Sequence, residues 1–118
     1  MSQLLRAQTV ERPHLRELVV WIAEHPGGDL SVEALAMRSN MSVRNFSRAF
    51  QRAAGNTPAR LVETVRVENA RRLLEDTDMS IQEIARTCGL GNANSMRRAF
   101  LRVLGTAPGD YRRRLREA

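Results

Sequence analysis

The chain has 118 residues, a net charge of +6 and one cysteine, Cys88, and all of its basic residues are arginine. A lone cysteine cannot form an internal disulfide, which favours a reducing, cytoplasmic compartment. The longest purely apolar run, residues 18–23, is too short to cross a bilayer, and the N-terminus lacks the apolar core of a secretory signal, so no membrane partner is expected.

The first elements are a tail and one amphipathic helix. Residues 1–12 show no clean periodicity and are predicted to be a tail or linker before a domain over residues 13–118. Pro13 suits the first turn of a helix, and residues 25–28, with one Pro and two Gly, end it. Its buried stripe follows the i, i+3, i+4, i+7 pattern: Leu15, Leu18, Val19 and Ile22.

A first helix-turn-helix is predicted over about residues 31–54. Ser31 caps its first helix, and Asn40 makes the tight corner because Asn adopts a left-handed backbone readily. Ser42 caps the second helix, which Gly55 ends. The second helix buries Phe46, Ala49 and Phe50.

A long linker helix follows, over about residues 58–75. Thr57 supplies its cap and Pro58 its first turn. About 18 residues at ~1.5 Å rise make a strut of roughly 27 Å. Its apolar positions are Leu61, Val65, Ala70, Leu73 and Leu74.

The remainder repeats the first half, which predicts a second helix-turn-helix over about residues 80–104. Residues 30–36 return as 79–85, and Arg48-Ala49-Phe50 returns one residue later in register, so one residue is inserted near Gly91. Ser80 and Glu83 make a capping box, Gly89 makes the corner, Asn92 caps the second helix, and a last helix covers about 108–116. The predicted fold is all-α, with about seven helices forming two helix-turn-helix lobes joined by the linker helix.

Two copies of one unit imply a partner that repeats in space, and double-stranded DNA is such a partner. Residues 1–41 hold four Arg and five acids, whereas residues 42–118 hold fifteen Arg and eight acids. The second helix of each repeat, in segments 42–54 and 92–104, carries three Arg and no acid. Arg forks onto phosphate or guanine, whereas a merely solvated helix face usually interleaves Glu with Arg, so the pattern favours DNA.

The second helix of a helix-turn-helix presents its N-terminal half to base edges in the major groove. The outward positions predicted to read bases are Arg44, Asn45, Ser47 and Arg48 in the first lobe and Asn94, Ser95, Arg97 and Arg98 in the second. Arg52 and Arg102 lie further along and are predicted to contact phosphate. Ser42 and Asn92 are caps first, although a capped helix start also offers N–H groups to a phosphate.

The pattern resembles the DNA-binding domain of the AraC/XylS family of bacterial transcription regulators over residues 14–116. The residues that carry it are Arg66, Ala70, Leu73, Leu74, Ile81-Gln82-Glu83-Ile84-Ala85, Gly89-Leu90, Met96 to Phe100, Gly105 to Pro108 and Tyr111-Arg112. The resemblance implies regulation of transcription, with the two second helices in successive major grooves. Residues 41–46 look like members with a glutamine-amidotransferase-like N-terminal domain, which would make the chain a C-terminal fragment.

Three residues depart from the family pattern. Leu90 and Met96 stand where the family usually has Phe, and both keep apolar bulk. Ala107 replaces the usual Ser or Thr before Pro108, which removes a helix cap worth about 1 kcal/mol and is expected to let the last helix fray.

Other functions are less well supported by the residues. A helical protein-interaction module that no longer reads DNA would carry acidic or apolar residues on the outward faces, where Arg and Asn stand. No nucleophile–base pair, metal-ligand cluster or phosphate-cradling glycine loop is visible, so no catalytic residue, metal or cofactor is expected. RNA binding would require exposed aromatics. RNA polymerase is a second candidate partner, and the isolated domain is expected to be a monomer.

Overall fold

Seven α-helices follow one another along the residues that the computed structural model describes, 13–117, and no β-strand occurs in that range. The all-α class and the helix number expected from the sequence are confirmed. The predicted tail, residues 1–12, lies outside the described range. The helices are α1 (Pro13–Glu24), α2 (Val32–Arg38), α3 (Val43–Ala54), α4 (Pro58–Asp76), α5 (Ile81–Thr87), α6 (Ala93–Leu104) and α7 (Pro108–Glu117).

The chain divides into two compact units, and the division falls inside α4, between Val65 and Arg66. The described part of the first unit contains α1, α2, α3 and the beginning of α4. The second unit contains the remainder of α4 with α5, α6 and α7. Each unit therefore holds one helix-turn-helix, and each has its own apolar core.

Phe46 and Phe50 form the centre of the core in the first unit. Both side chains are fully buried, and their ring centroids lie 5.7 Å apart. Residues four apart share one face of a helix, so both rings hold the same side of α3 inward. Because burying a Phe side chain contributes about 1.5–3 kcal/mol, α3 cannot rotate without losing this contribution twice. The predicted stripe of α1 is also buried: Leu15, Leu18, Val19 and Ile22.

Met96 and Phe100 occupy the corresponding positions of α6 in the second unit, and both are fully buried. Met96 thus keeps the apolar bulk expected of it at the position that Phe46 occupies in the first unit. Val67, on α4, is equally buried in this core although the apolar pattern of the linker helix did not single it out. Cys88 is also inside, and burial raises the pKa of its thiol, which keeps the thiol neutral.

Short polar side chains begin the helices as the sequence predicts. In five cases a side-chain oxygen accepts a hydrogen bond from the backbone N–H three residues later, at 2.8–3.2 Å. The Ser80–Glu83 pair differs from a full capping box, because the Glu83 carboxylate accepts from the Ser80 hydroxyl rather than from the Ser80 N–H. The five capping residues are Ser31, Ser42, Thr57, Ser80 and Asn92.

The corner between the two helices has the same geometry in both units. Asn40 has φ 56° and Gly89 has φ 74°, so both adopt the left-handed conformation expected of them. The next residue closes the turn by donating its N–H to the carbonyl five residues earlier. These bonds run from Met41 to Ala36 at 3.0 Å and from Leu90 to Ala85 at 2.8 Å.

Gly91 is the additional residue of the second turn. Leu90 corresponds to Met41, and the cap Asn92 corresponds to the cap Ser42, so Gly91 alone stands between the two matched positions. Its φ is +83°, which an L side chain rarely adopts. The structure therefore agrees with an insertion at Gly91 and gives a backbone reason for glycine there.

Arg112 fastens α7 to the segment between α4 and α5. Its guanidinium donates to the carbonyl oxygens of Leu74 at 3.3 Å, Thr77 at 2.9 Å and Met79 at 2.5 Å. The Tyr111 hydroxyl donates to the Glu75 carboxylate at 3.1 Å, beside these bonds. A continuous α7 therefore reaches Glu117 although Ala107 has no side-chain oxygen to cap it.

Arg112→Ala is expected to lower the free energy of unfolding by about 2–3 kcal/mol, because three part-buried carbonyls lose a charged donor. Urea denaturation followed by circular dichroism measures this change. Arg114→Ala is the matched control, since Arg114 is exposed on the same helix, and it should change stability by less than about 0.5 kcal/mol. Equal stability of the two variants would contradict the role given to Arg112.

Candidate nucleic-acid interface

The outward face of α3 carries the residues that the sequence assigned to base reading in the first lobe. With Phe46 and Phe50 buried, the side chains of Arg44, Asn45 and Arg48 are exposed, and Ser47 is half-buried. Arg52, one turn beyond Arg48, is exposed on the same helix. These four exposed residues of α3 present three guanidinium groups and one amide.

The outward face of α6 presents a related but different set. Asn94, Arg97 and Arg98 are exposed and Ser95 is half-buried. Arg98 donates to the Ser95 hydroxyl at 3.4 Å, a bond within the helix that water or a base edge can replace. Arg102 is exposed at the later position that corresponds to Arg52.

Ser42 and Asn92 stand at the beginnings of these two helices and act as caps. The Ser42 hydroxyl accepts from the Asn45 N–H at 3.2 Å, and the Asn92 side-chain oxygen accepts from the Ser95 N–H at 2.8 Å. Each side-chain oxygen is thus committed to its own helix. Their exposed position at the helix start still leaves them beside any anion that approaches.

A groove of about 630 Å³ opens beside the beginning of α6 in the second unit. Its walls are the first turns of α5, α6 and α7, and it brings Asn92, Asn94 and Arg97 together. Gln82 of α5 lines the same groove although the sequence did not assign it to the interface. The internal repeat could have indicated Gln82, because Gln82 aligns with Glu33 of the first repeat and the two residues differ in charge.

Some acidic side chains of α4 and α7 are held in ion pairs. On α4, Arg71 bridges Glu68 at 2.9 Å and Glu75 at 2.8 Å. Hydrogen bonds that Arg71 donates to Tyr111 and Glu68 raise the pKa of Arg71 further above its ordinary value, so this group stays charged. On α7, Arg113 pairs with Asp110. These pairs reduce the negative field in the second unit.

Within residues 13–117, no group of three or more His, Cys, Asp or Glu side chains is arranged to hold a metal ion. None of the described helices is long and apolar enough to cross a membrane.

Comparison with known proteins identifies the family. A family model described as a helix-turn-helix domain matches residues 35–114. The transcriptional regulator Rv1931c of Mycobacterium tuberculosis is 45% identical over 87 residues, which are 74% of this chain and 34% of that protein. The activator RhaS of Salmonella schwarzengrund is 33% identical over 111 residues, which are 94% of this chain and 40% of that protein. The chain belongs to the AraC/XylS family.

A solved structure supports the same assignment. The DNA-binding domain of AdpA, determined in complex with a target DNA, superposes with a TM-score of 0.82 and 41% identity, covering 87% of this chain and 93% of that one. The relatives are transcription regulators rather than enzymes. This chain spans 34–40% of the length of the two curated relatives. It contains the helix-turn-helix DNA-binding domain typical of AraC/XylS regulators, and a protein-interaction module is not favoured.

Asn92→Ala is expected to destabilise the second unit by about 1 kcal/mol, because α6 loses its capping bond. Asn94→Ala removes the same amide two residues later, from an exposed position where no cap is made, and should change stability by less than about 0.5 kcal/mol. Thermal denaturation of both variants beside the parent makes the comparison. If the two variants melted together, Asn92 would not be acting as a cap.

Proposed function

We propose that this chain binds double-stranded DNA in a sequence-specific way and regulates transcription, with α3 and α6 each lying in a major groove. One observation carries the proposal: equivalent helices of two repeated units bury one face and present an arginine-bearing, acid-free face to solvent. That face is what a recognition helix requires. The AdpA complex supports the proposal, because a close structural relative of the domain was determined with its target DNA.

Base reading is assigned to the first half of each recognition helix. An Arg can fork onto guanine and an Asn onto adenine, and each good pair discriminates by about 1–3 kcal/mol. Arg52 and Arg102, further along the helices, bind phosphate, and Ser42 and Asn92 lie at helix beginnings that favour a phosphate. The base-reading residues are Arg44, Asn45, Ser47, Arg48, Asn94, Ser95, Arg97 and Arg98.

The proposed unit is a monomer whose two lobes bind one face of the duplex in successive major grooves, about one helical turn apart. Residues 13–118 form the DNA-binding domain and residues 1–12 a tail or linker. RNA polymerase is the second candidate partner, and the proposed site of action is the cytoplasm. The glutamine-amidotransferase-like N-terminal domain stays a prediction, and so does the absence of enzymatic activity.

Selection of bound sequences from a random DNA pool tests the proposal directly. We expect a short motif with two separated blocks, one for each lobe. Footprinting on the selected sequence should then protect one face of the duplex. Failure to enrich any sequence, with the protein folded by circular dichroism, would contradict sequence-specific binding and would favour the protein-interaction alternative.

Binding should depend strongly on salt, because Arg residues that neutralise phosphates release condensed counterions. With about six phosphate contacts, log K should fall with log salt at a slope near −5. Fluorescence anisotropy of a labelled duplex at several NaCl concentrations measures the slope. A slope near zero would be incompatible with a phosphate-bound interface.

Arg48→Ala and Arg98→Ala should each weaken specific binding by about 1–3 kcal/mol and relax the preference at one base position. Arg48→Ala should cost more specificity, because Arg44 adds a second cation to the first turn of α3 where α6 has the neutral Asn94. Competition binding against operators with single base changes measures both effects.

Arg52→Ala is the matched control for these two variants. It should weaken binding to all sequences about equally and flatten the salt slope by about one unit, as expected for a phosphate contact. All three variants should fold normally, since their side chains are exposed. Unchanged binding of both Arg48→Ala and Arg98→Ala to operator and random DNA would refute the assignment of the reading faces.

A further inference from the structure

Gln82, in the second unit, is not among the residues assigned to base reading or to phosphate contacts. It is exposed on the first turn of α5 and lines the groove that also contains Asn92, Asn94 and Arg97. The sequence positions are ten to fifteen residues apart, and only the packing of α5 against α6 brings them to one surface. Gln82 therefore shares the surface of residues proposed to meet DNA.

The groove has the chemistry of a phosphate contact. Gln82 and Asn94 each carry an amide with two N–H donors, and Arg97 adds a guanidinium with five. The acidic residue of the lining, Asp110, has its carboxylate engaged with Arg113 on α7. Donors thus outnumber free acceptors on this surface, and the balance of charge favours an anion.

The helix that bears Gln82 also points to the backbone of DNA rather than to its bases. In a helix-turn-helix the second helix enters the major groove while the first helix crosses the sugar–phosphate backbone. α5 is the first helix of the helix-turn-helix in the second unit, and α6 is its second helix. Gln82 lies on the first turn of α5, in the protein groove that α6 also lines. With α6 in the DNA major groove, Gln82 would lie at the border of the major groove, beside the phosphates.

The first unit differs at the equivalent position. Ser31 and Ser80 cap α2 and α5 in the same way, so the residue two positions beyond each cap occupies the same place on its helix. That residue is Glu33 in the first unit and Gln82 in the second, and both are exposed. A carboxylate near a phosphate repels it, whereas an amide donates to it.

We propose that Gln82 donates a hydrogen bond to a DNA phosphate at the edge of the second lobe's groove. The equivalent residue of the first lobe, Glu33, has a carboxylate that cannot donate this hydrogen bond. The second lobe therefore binds the DNA phosphates more strongly than the first. This inference rests on the proposed function, and it adds a contact residue and a difference between the lobes. The first lobe, with Arg44 and Arg48, contributes more to base choice, and the second contributes more to sequence-independent anchoring.

The experiment compares Gln82→Glu, Gln82→Ala and Glu33→Gln with the parent on two labelled duplexes, the selected operator and a random sequence. At about 0.1 M NaCl, Gln82→Glu should weaken binding to both duplexes by about fivefold, because it places a carboxylate near a phosphate. Gln82→Ala should weaken both by about threefold, because one hydrogen bond is lost. Glu33→Gln should tighten both by about twofold or more.

Thr87→Glu is the matched control for charge. Thr87 is exposed on α5, five residues after Gln82 and about 140° around the helix, and it does not line the groove. It adds the same negative charge and should change binding less than Gln82→Glu does. Loss of folding does not explain a weaker Gln82→Glu variant, since an acid in the first turn of a helix favours the helix dipole.

The outcomes separate the inference from the function on which it rests. Equal loss on operator and random DNA, confined to the Gln82 variants, supports a phosphate contact. Loss on the operator alone overturns it, because Gln82 would then read a base. Parent-like binding by both Gln82 variants, or an equal loss in Thr87→Glu, also overturns it. An unchanged Glu33→Gln overturns the difference between the lobes, and a parent that binds neither duplex contradicts the proposed function itself.

Discussion

Burial of one face of each recognition helix is the constraint on which the rest of the interface depends. Phe46 and Phe50 in α3, and Met96 and Phe100 in α6, are fully buried at a spacing of four residues. A helix pinned at two such points has a fixed rotation about its axis, because any other rotation would expose apolar surface to water. The polar side chains between them are therefore exposed as a consequence of the core.

The corner between the helices is the second constraint. Asn40 and Gly89 adopt a left-handed backbone at the same place in the repeat, and the same hydrogen bond closes each turn. The second unit then adds Gly91, also at positive φ, before Asn92 caps α6. The two corners thus share one backbone conformation, while the side chains around them differ. Two helix-turn-helix units with the same backbone and different exposed side chains suit two DNA half-sites of different sequence.

The C-terminal helix is held by polar rather than apolar contacts. Arg112 donates to three backbone carbonyls, and Tyr111 reaches Glu75 beside the Arg71 ion pairs. Carbonyls at the end of a helix have no partner within the helix, so a guanidinium with several donors satisfies groups that would otherwise need water. This arrangement gives α7 an attachment that does not require a cap at Ala107, and it keeps the first turn of α7 at the wall of the groove.

The sequence by itself determined the helices, their caps, the corner residues and the buried face of each recognition helix. These features depend on residues within about four positions of one another, so hydrophobic periodicity and local hydrogen bonding report them. Once the buried face of each recognition helix was known, the Arg and Asn residues on the remaining face could be predicted to be exposed. Thr57, Pro58 and the apolar positions after them predicted the linker helix, and the resemblance to the family supported the interpretation of the repeat as a DNA-binding pair.

Only the tertiary structure decided which distant residues meet. Arg112 bonds to carbonyls 33 to 38 positions earlier, and no periodicity in the sequence reports such a pair. Val67 lies fully inside the second core, and Gln82 joins the groove of Asn94 and Arg97, for the same reason. Local patterns fix the face that each helix turns inward, but the angle and depth at which helices pack depend on side-chain volumes from several helices at once.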